Sequence, residues 1–152
     1  MATRDYFAEL YVAGIMGDAG WSVYFPKRDV GFDFIASKEV SGCVLIRPVQ
    51  VKGRYPSEEK TNKVAYGYIG KLSQVHDDMV LALPFFPRDV TGVAPDFIAY
   101  MPRRSINLQS SRGYACQPAS FVSGSARPRK TYLKYFGSAG LLLMESPNWA
   151  NA

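Results

Sequence analysis

The chain is poor in metal-binding soft ligands: its 152 residues contain one histidine, His76, and two cysteines, Cys43 and Cys116. A zinc site of Cys and His ligands would need almost all of them in one place, so none is expected. Neither cysteine belongs to a C-x-x-C cluster, and both are read as free, buried thiols. Long apolar runs are also missing. Asp5, Glu9 and Asp18 interrupt the only apolar stretch near the start, which excludes a membrane-spanning helix there. A basic segment followed by an unbroken apolar run and a small-residue cleavage site is absent, so the expected compartment is the cytoplasm. The most informative absence concerns charge of one sign: no acidic residue occurs between Phe97 and Met144.

That stretch holds Arg103, Arg104, Arg112, Arg127, Arg129, Lys130 and Lys134, whereas the first 96 residues carry 11 basic and 12 acidic side chains. The net +5 therefore comes from the C-terminal third. Such asymmetry suggests a polyanionic partner, with a solvated basic face as the plainer alternative. Hydrophobic residues make up 47% of the chain and charged residues 20%, enough apolar surface for a packed core. The length allows one domain, residues 1–152, with a basic, loop-rich part from about residue 103.

Tyr6 to Gly17 is nearly all apolar and reads as a helix buried on most of its circumference, with Thr3 as N-cap and Gly20 as stop. Trp21–Phe25, Phe32–Ala36 and Cys43–Lys52 read as three strands, the last two joined by a Ser41-Gly42 turn. Gly53–Lys63 reads as a surface loop, and Tyr66–His76 fits either strand or helix. Met79–Phe85 and Asp96–Met101 read as two more strands. Arg103 to Arg129 shows no sustained period and reads as a long loop, and Leu141–Met144 as a short closing helix or strand. The fold class is α/β: a central mixed sheet with the first helix on one face and a second helix on the other.

Three polar features fall inside apolar surroundings. Glu9 is the only charged residue between Phe7 and Gly17, and Asp33 sits between Phe32 and Phe34. Buried carboxylates need partners. Gln50 and Lys52 are two apart, so both side chains leave one face of the sheet, and a hairpin would bring Asp33 near them. Carboxylate, carboxamide oxygen and ammonium on adjacent strands suit a hard cation such as Mg²⁺ beside a phosphate. A buried salt bridge from Lys52 to Asp33 or Glu9 is the structural alternative.

The order helix with Glu9, strand, strand with Gly31-Phe32-Asp33, strand with Val49-Gln50-Val51-Lys52 resembles the PD-(D/E)XK nuclease superfamily, the restriction-endonuclease-like fold. The pattern looks most like the archaeal Holliday junction resolvases and related small nuclease-like domains, over roughly the first hundred residues. The resemblance implies a three-layer core and assigns Asp33 as metal-binding acid, Gln50 in place of the second acid, Lys52 as the motif lysine and Glu9 as the helix glutamate. It adds the main-chain carbonyl of Val51 as a further metal ligand. Gln50 departs from the pattern, because a neutral side chain removes one negative charge from the site. Asp29 is a second candidate to supply that charge, with a turn or cap residue as its plainer role.

The function so implied is a Mg²⁺- or Mn²⁺-dependent DNA endonuclease hydrolysing phosphodiesters, acting as a homodimer. The alternative is a catalytically impaired nuclease-like protein that binds nucleic acid. Arg54, Lys60, Lys63, Arg103, Arg104, Arg127, Arg129 and Lys130 are the candidate nucleic-acid contacts. Lys71, with Tyr55, Tyr66 and Tyr68, fits either base stacking and phosphate contact or simple packing. His76 before Asp77 and Asp78 admits a general-base role or an ordinary helix-end one.

Overall fold

The computed structural model describes residues 2–28, 30–56, 68–70, 76–90, 92–106, 108–110 and 113–149. In chain order the elements are α1 (Ala2–Asp18), β1 (Ser22–Tyr24), β2 (Phe34–Val40), β3 (Cys43–Val51), β4 (Tyr68–Gly70), β5 (Val80–Phe85) and β6 (Phe97–Pro102). A 3₁₀ turn at Arg103–Ser105 leads to β7 (Leu108–Ser110), β8 (Gly113–Ala115), β9 (Ala119–Val122) and β10 (Ser125–Pro128). A 3₁₀ helix, Lys130–Tyr135, and α2 (Gly137–Leu143) follow. The main sheet has five strands in the order β1-β2-β3-β5-β6. The fold is thus α/β around a mixed sheet: β1, β2 and β3 form an antiparallel meander, β5 runs parallel to β3, and β6 runs antiparallel to β5.

Helix α1 starts earlier than its apolar run, so Thr3 lies inside it rather than capping it. Its end is as expected: Trp21 N–H donates to Met16 O and Gly20 N–H to Gly17 O, the paired bonds of a Schellman motif with Gly20 in left-handed conformation. Trp21 and Met16, which that motif brings together, are both in the core. Ala8, Val12 and Met16 pack with Phe34, Ala36, Val49, Val51 and Val80, each large side chain contributing about 1.5–3 kcal/mol by leaving water.

Strand β2 begins two residues later than expected and runs on to Val40, since pairing with β3 carries the polar Ser37-Lys38-Glu39 segment. The turn between them has positive φ at both Ser41 and Gly42, the type I′ geometry that matches strand twist. Pro48 is tolerated inside β3 because even-numbered residues there aim their backbone at β5, whose pairing starts only at Val49.

All six residues of β5 are buried, which explains their unbroken apolar run: this strand is covered on both faces. The second face is covered mainly by strands and a 3₁₀ helix, with only Leu143 of α2 packed against it. Leu81, Leu83, Phe85, Ala99 and Met101 meet Ile106, Phe121, Ala126, Tyr135 and Phe136. The segment expected as an irregular loop is therefore a folded C-terminal module, with β9 and β10 joined by Ser123-Gly124 in the same I′ geometry as Ser41-Gly42. Its strand β8 pairs with both β4 and β7. Over β1–β3 the same face is open, leaving Tyr24, Val44 and Ile46 exposed.

The closing segment is helical, and it fits the sheet closely. A Cβ on Gly140 would collide with the Tyr135 carbonyl oxygen and stand 3.0 Å from the Tyr100 ring. Gly140→Ala should cost about 1–3 kcal/mol through overpacking, despite alanine's better helix propensity, and thermal unfolding checks it. No helix among the described residues is long and apolar enough to cross a membrane.

Candidate functional site

The far end of β3, away from its turn, collects the polar residues singled out by sequence. Val49 O accepts from Asp33 N–H at 2.8 Å, and Val51 N–H donates to Asp33 Oδ2 at 2.7 Å. Asp33 thereby extends β2 by one step, its carboxylate standing where a strand carbonyl would otherwise serve Val51. In an extended strand the N–H and C=O of one residue leave on the same side, so the Val51 carbonyl also points toward the Asp33 edge.

Gln50 aligns with Leu81, and Lys52 N–H donates to Ala82 O at 3.0 Å, continuing the parallel register. Arg54 carries it one step further, bridging to Phe85, with its N–H on Pro84 O and its carbonyl accepting from Phe86 N–H. Alternation then sets Gln50, Lys52 and Arg54 in a row on the face of Leu81, Leu83 and Phe85. The row follows the line where the open half of the sheet meets the C-terminal module.

Two groups in this row have no protein side-chain partner among the described residues. Gln50 Oε1 is buried and has no hydrogen-bond partner among the described residues. Lys52 is half-buried, and among the described residues its ammonium makes no ion pair. The structural alternative, a salt bridge from Lys52 to Asp33 or Glu9, is thus not what the fold builds. A buried polar atom with no partner costs about 1–3 kcal/mol and calls for an explanation, such as a bound water, an ion or a chemical role.

Glu9 comes from a different element than this row. It lies half-buried on α1, the helix that covers the opposite face, one residue after core residue Ala8. The N-terminal half of α1 does reach this end of the sheet, since the Phe7 ring lies 6.3 Å from Phe86, just past β5.

Among the candidate phosphate contacts, Arg103 is corrected: it is 1% exposed. Its Nη1 donates to Ile106 O at 3.0 Å and its guanidinium lies 4.4 Å from the Tyr114 ring centre, so it braces the module from within. Arg104, Arg127, Arg129 and Lys130 are exposed, and Arg54 is half-buried. Lys60 and Lys63 lie outside the described residues, as do Asp29, Tyr66 and Lys71. Tyr55 is core, stacked 4.8 Å from Phe86. His76 is exposed, and its Nδ1 accepts from Asp78 N–H at 3.0 Å, a local turn bond.

The cysteines separate. Cys43 is exposed at the hairpin turn, contrary to expectation, whereas Cys116 is buried. Burial pushes the Cys116 thiol up to about 12, with the nearby Arg54 charge partly offsetting it. Since thiolate is the reactive form, one thiol should titrate rapidly with an aromatic disulfide reagent at neutral pH, and both only after unfolding.

Sequence reasoning missed Arg47. It is 2% exposed on the α1 face. Its Nε and Nη2 donate to Met144 O at 3.2 and 3.0 Å, and Nη2 also to Ser146 O at 3.0 Å. Asp78 stands 3.6 Å away, and the Trp149 ring centre 5.8 Å. Burial lowers the guanidinium's pKa, with Asp78 opposing the shift.

Among the described residues no three His, Cys, Asp or Glu side chains converge. A cation held here would rest on Asp33, on neutral oxygens from Gln50 and Val51, and on the substrate itself. Compared with protein-family models, curated proteins and solved structures, the chain matches none.

Proposed function

We propose that the protein is a divalent-metal-dependent endodeoxyribonuclease of the PD-(D/E)XK kind, its site formed by Asp33, Gln50, Val51 and Lys52 at the end of β3. The observation that carries this reading is the half-buried ammonium of Lys52, which makes no ion pair among the described residues, sharing a sheet face with Gln50 Oε1, which has no hydrogen-bond partner among them. A buried carboxamide oxygen kept for packing would be expected to find a partner. The element order supports the reading too: helix, three-strand meander, then a strand parallel to the third.

The donor set fits a small hard cation. Asp33 offers a carboxylate, Gln50 a carboxamide oxygen that nothing among the described residues engages, and Val51 a main-chain carbonyl. Mg²⁺ takes oxygen ligands and needs only one or two carboxylates when a substrate phosphate completes its shell. The ion would supply Lewis acidity at the phosphate. Lys52 orients the attacking water and stabilises charge on the non-bridging oxygens. In the reaction the water oxygen bonds to phosphorus and gives up a proton to solvent, the ester P–O bond breaks, and the leaving oxygen takes up a proton from solvent. Breaking both strands requires two such sites, which makes a symmetric homodimer the expected assembly.

The second reading is a nucleic-acid-binding protein with impaired chemistry. It is favoured by the neutral Gln50 and by the lack of three converging acidic or metal-ligating side chains among the described residues. Cleavage of labelled duplexes, forks, four-way junctions and single strands, with Mg²⁺ or Mn²⁺, separates the two. Metal-dependent cutting by the wild type, lost in Lys52→Ala, supports the nuclease. No cutting of any substrate, with no Mn²⁺ binding that depends on Asp33, moves the conclusion to the binding protein.

A further inference from the structure

The C-terminal module lies outside the resemblance on which the nuclease reading rests, and its outer surface is built differently from its inner one. On β10, Ala126 is buried against the sheet, so Arg127 points away from it. Arg129 N–H donates to Pro118 O at 2.8 Å, which prolongs the hairpin past Pro128 and keeps Arg129 on the outer side with Arg127. Two strand residues span about 7 Å, so the guanidinium stems form a spaced pair, with Lys130 beginning the 3₁₀ helix beside them. All three side chains are exposed, and among the described residues none makes an ion pair or side-chain hydrogen bond. No carboxylate exists anywhere between Phe97 and Met144 to neutralise them.

These cations are held on a packed support. Phe121, on the partner strand β9, lies 5.9 Å from Phe85, and Phe85 is the β5 neighbour of Arg54 at the end of the Gln50–Lys52–Arg54 row. The hairpin therefore rises on the same sheet face as that row and beside it. From Arg103 onward the exposed large apolar side chains are Val122, Leu133 and Leu142, and among the described residues of that segment no aromatic side chain is more than partly exposed. Single strands are gripped by cations together with stacking rings, whereas duplex backbone needs only the cations.

We propose that Arg127, Arg129 and Lys130 form a phosphate-backbone platform for double-stranded DNA, which delivers the duplex to the row on β3. The substrate class rests on the nuclease reading, but the platform itself does not. Forked arginine donors suit phosphate oxygens, and none of these side chains is positioned to read bases.

Binding is measured by fluorescence anisotropy in Ca²⁺ or in chelator, on duplex and single-stranded DNA of equal length, over a salt series. Replacing the three residues by alanine should lower the slope of log affinity against log salt by about 2.7, since each phosphate contact contributes roughly 0.9. Between about 50 and about 200 mM salt, duplex affinity should then fall roughly 40-fold less steeply than in the wild type. Arg127→Lys with Arg129→Lys keeps the charges and should keep the slope, which a merely structural role would not predict. An unchanged slope in the alanine variant, or equal affinity for single strands, overturns the platform. If the slope falls but neither wild type nor Lys52→Ala cuts DNA, the platform stands and the nuclease reading fails. If Lys52→Ala abolishes cutting and the slope is unmoved, the reverse holds.

Discussion

Lys52→Ala should lower metal-dependent cleavage about 10²- to 10³-fold, the loss seen when one preorganised charge is removed from a developing oxyanion, while leaving unfolding within about 0.5 kcal/mol of wild type. Both halves of that expectation come from the same geometry. The ammonium makes no ion pair among the described residues, so its removal orphans no carboxylate and breaks no network among them. A lysine serving structure would show the opposite pattern, a stability loss with activity falling only as the protein unfolds. Lys52→Arg should not restore the rate, because a planar guanidinium spreads its charge and is larger than the compact ammonium. Asp33→Asn makes a companion test. A carboxamide oxygen can still accept from Val51 N–H, so the strand junction survives while the negative charge goes. Mn²⁺ affinity, read by electron paramagnetic resonance, should drop sharply with little change in unfolding temperature. A collapse of both together would mark Asp33 as a strand cap and nothing more.

Much of the site's placement was legible because strand periodicity is local. Gln50 and Lys52 share a face by their spacing, and Ser41-Gly42 marks the hairpin that carries Asp33 to Val49 and Val51. The reach of that logic ends at the helix: periodicity reads a helix face, but not which side of the sheet the helix will cover. The module from Arg103 onward was missed for another reason. Its strands are three or four residues long, and two of the inward residues of β9 and β10 are alanines, Ala119 and Ala126, so hydrophobic alternation barely registers. Yet Ser123-Gly124 repeats the dipeptide already recognised at Ser41-Gly42, with the same pair of positive φ angles. That was the available signal. Arg103 carries the complementary lesson, since a charge counted toward a basic surface is instead spent inside, against Tyr114.

Arg47 could not have been found by any local pattern, because its carbonyl partners lie 97 and 99 positions downstream. It should be among the most sensitive positions for stability: Arg47→Ala is expected to cost about 3–5 kcal/mol, through carbonyls left without donors and the cavity opened in the core. Met144 and Ser146 present carbonyls just past the end of α2, where the helix has no donors of its own to offer. The Arg47 fork supplies three bonds to them and adds a positive charge at the negative end of the helix dipole. Alanine would leave the buried Met144 carbonyl without its donors, open a cavity beside Trp149, and remove the ion-pair partner of the partly exposed Asp78. For a chain of this length that loss corresponds to a drop of on the order of 10 °C in unfolding temperature. Arg47→Met separates the contributions, because it refills the cavity without donating. If methionine restores most of the stability, packing dominates. If methionine is nearly as damaging as alanine, the hydrogen bonds to the end of α2 are what tie the closing helix to β3, and with it the strand that carries Gln50 and Lys52.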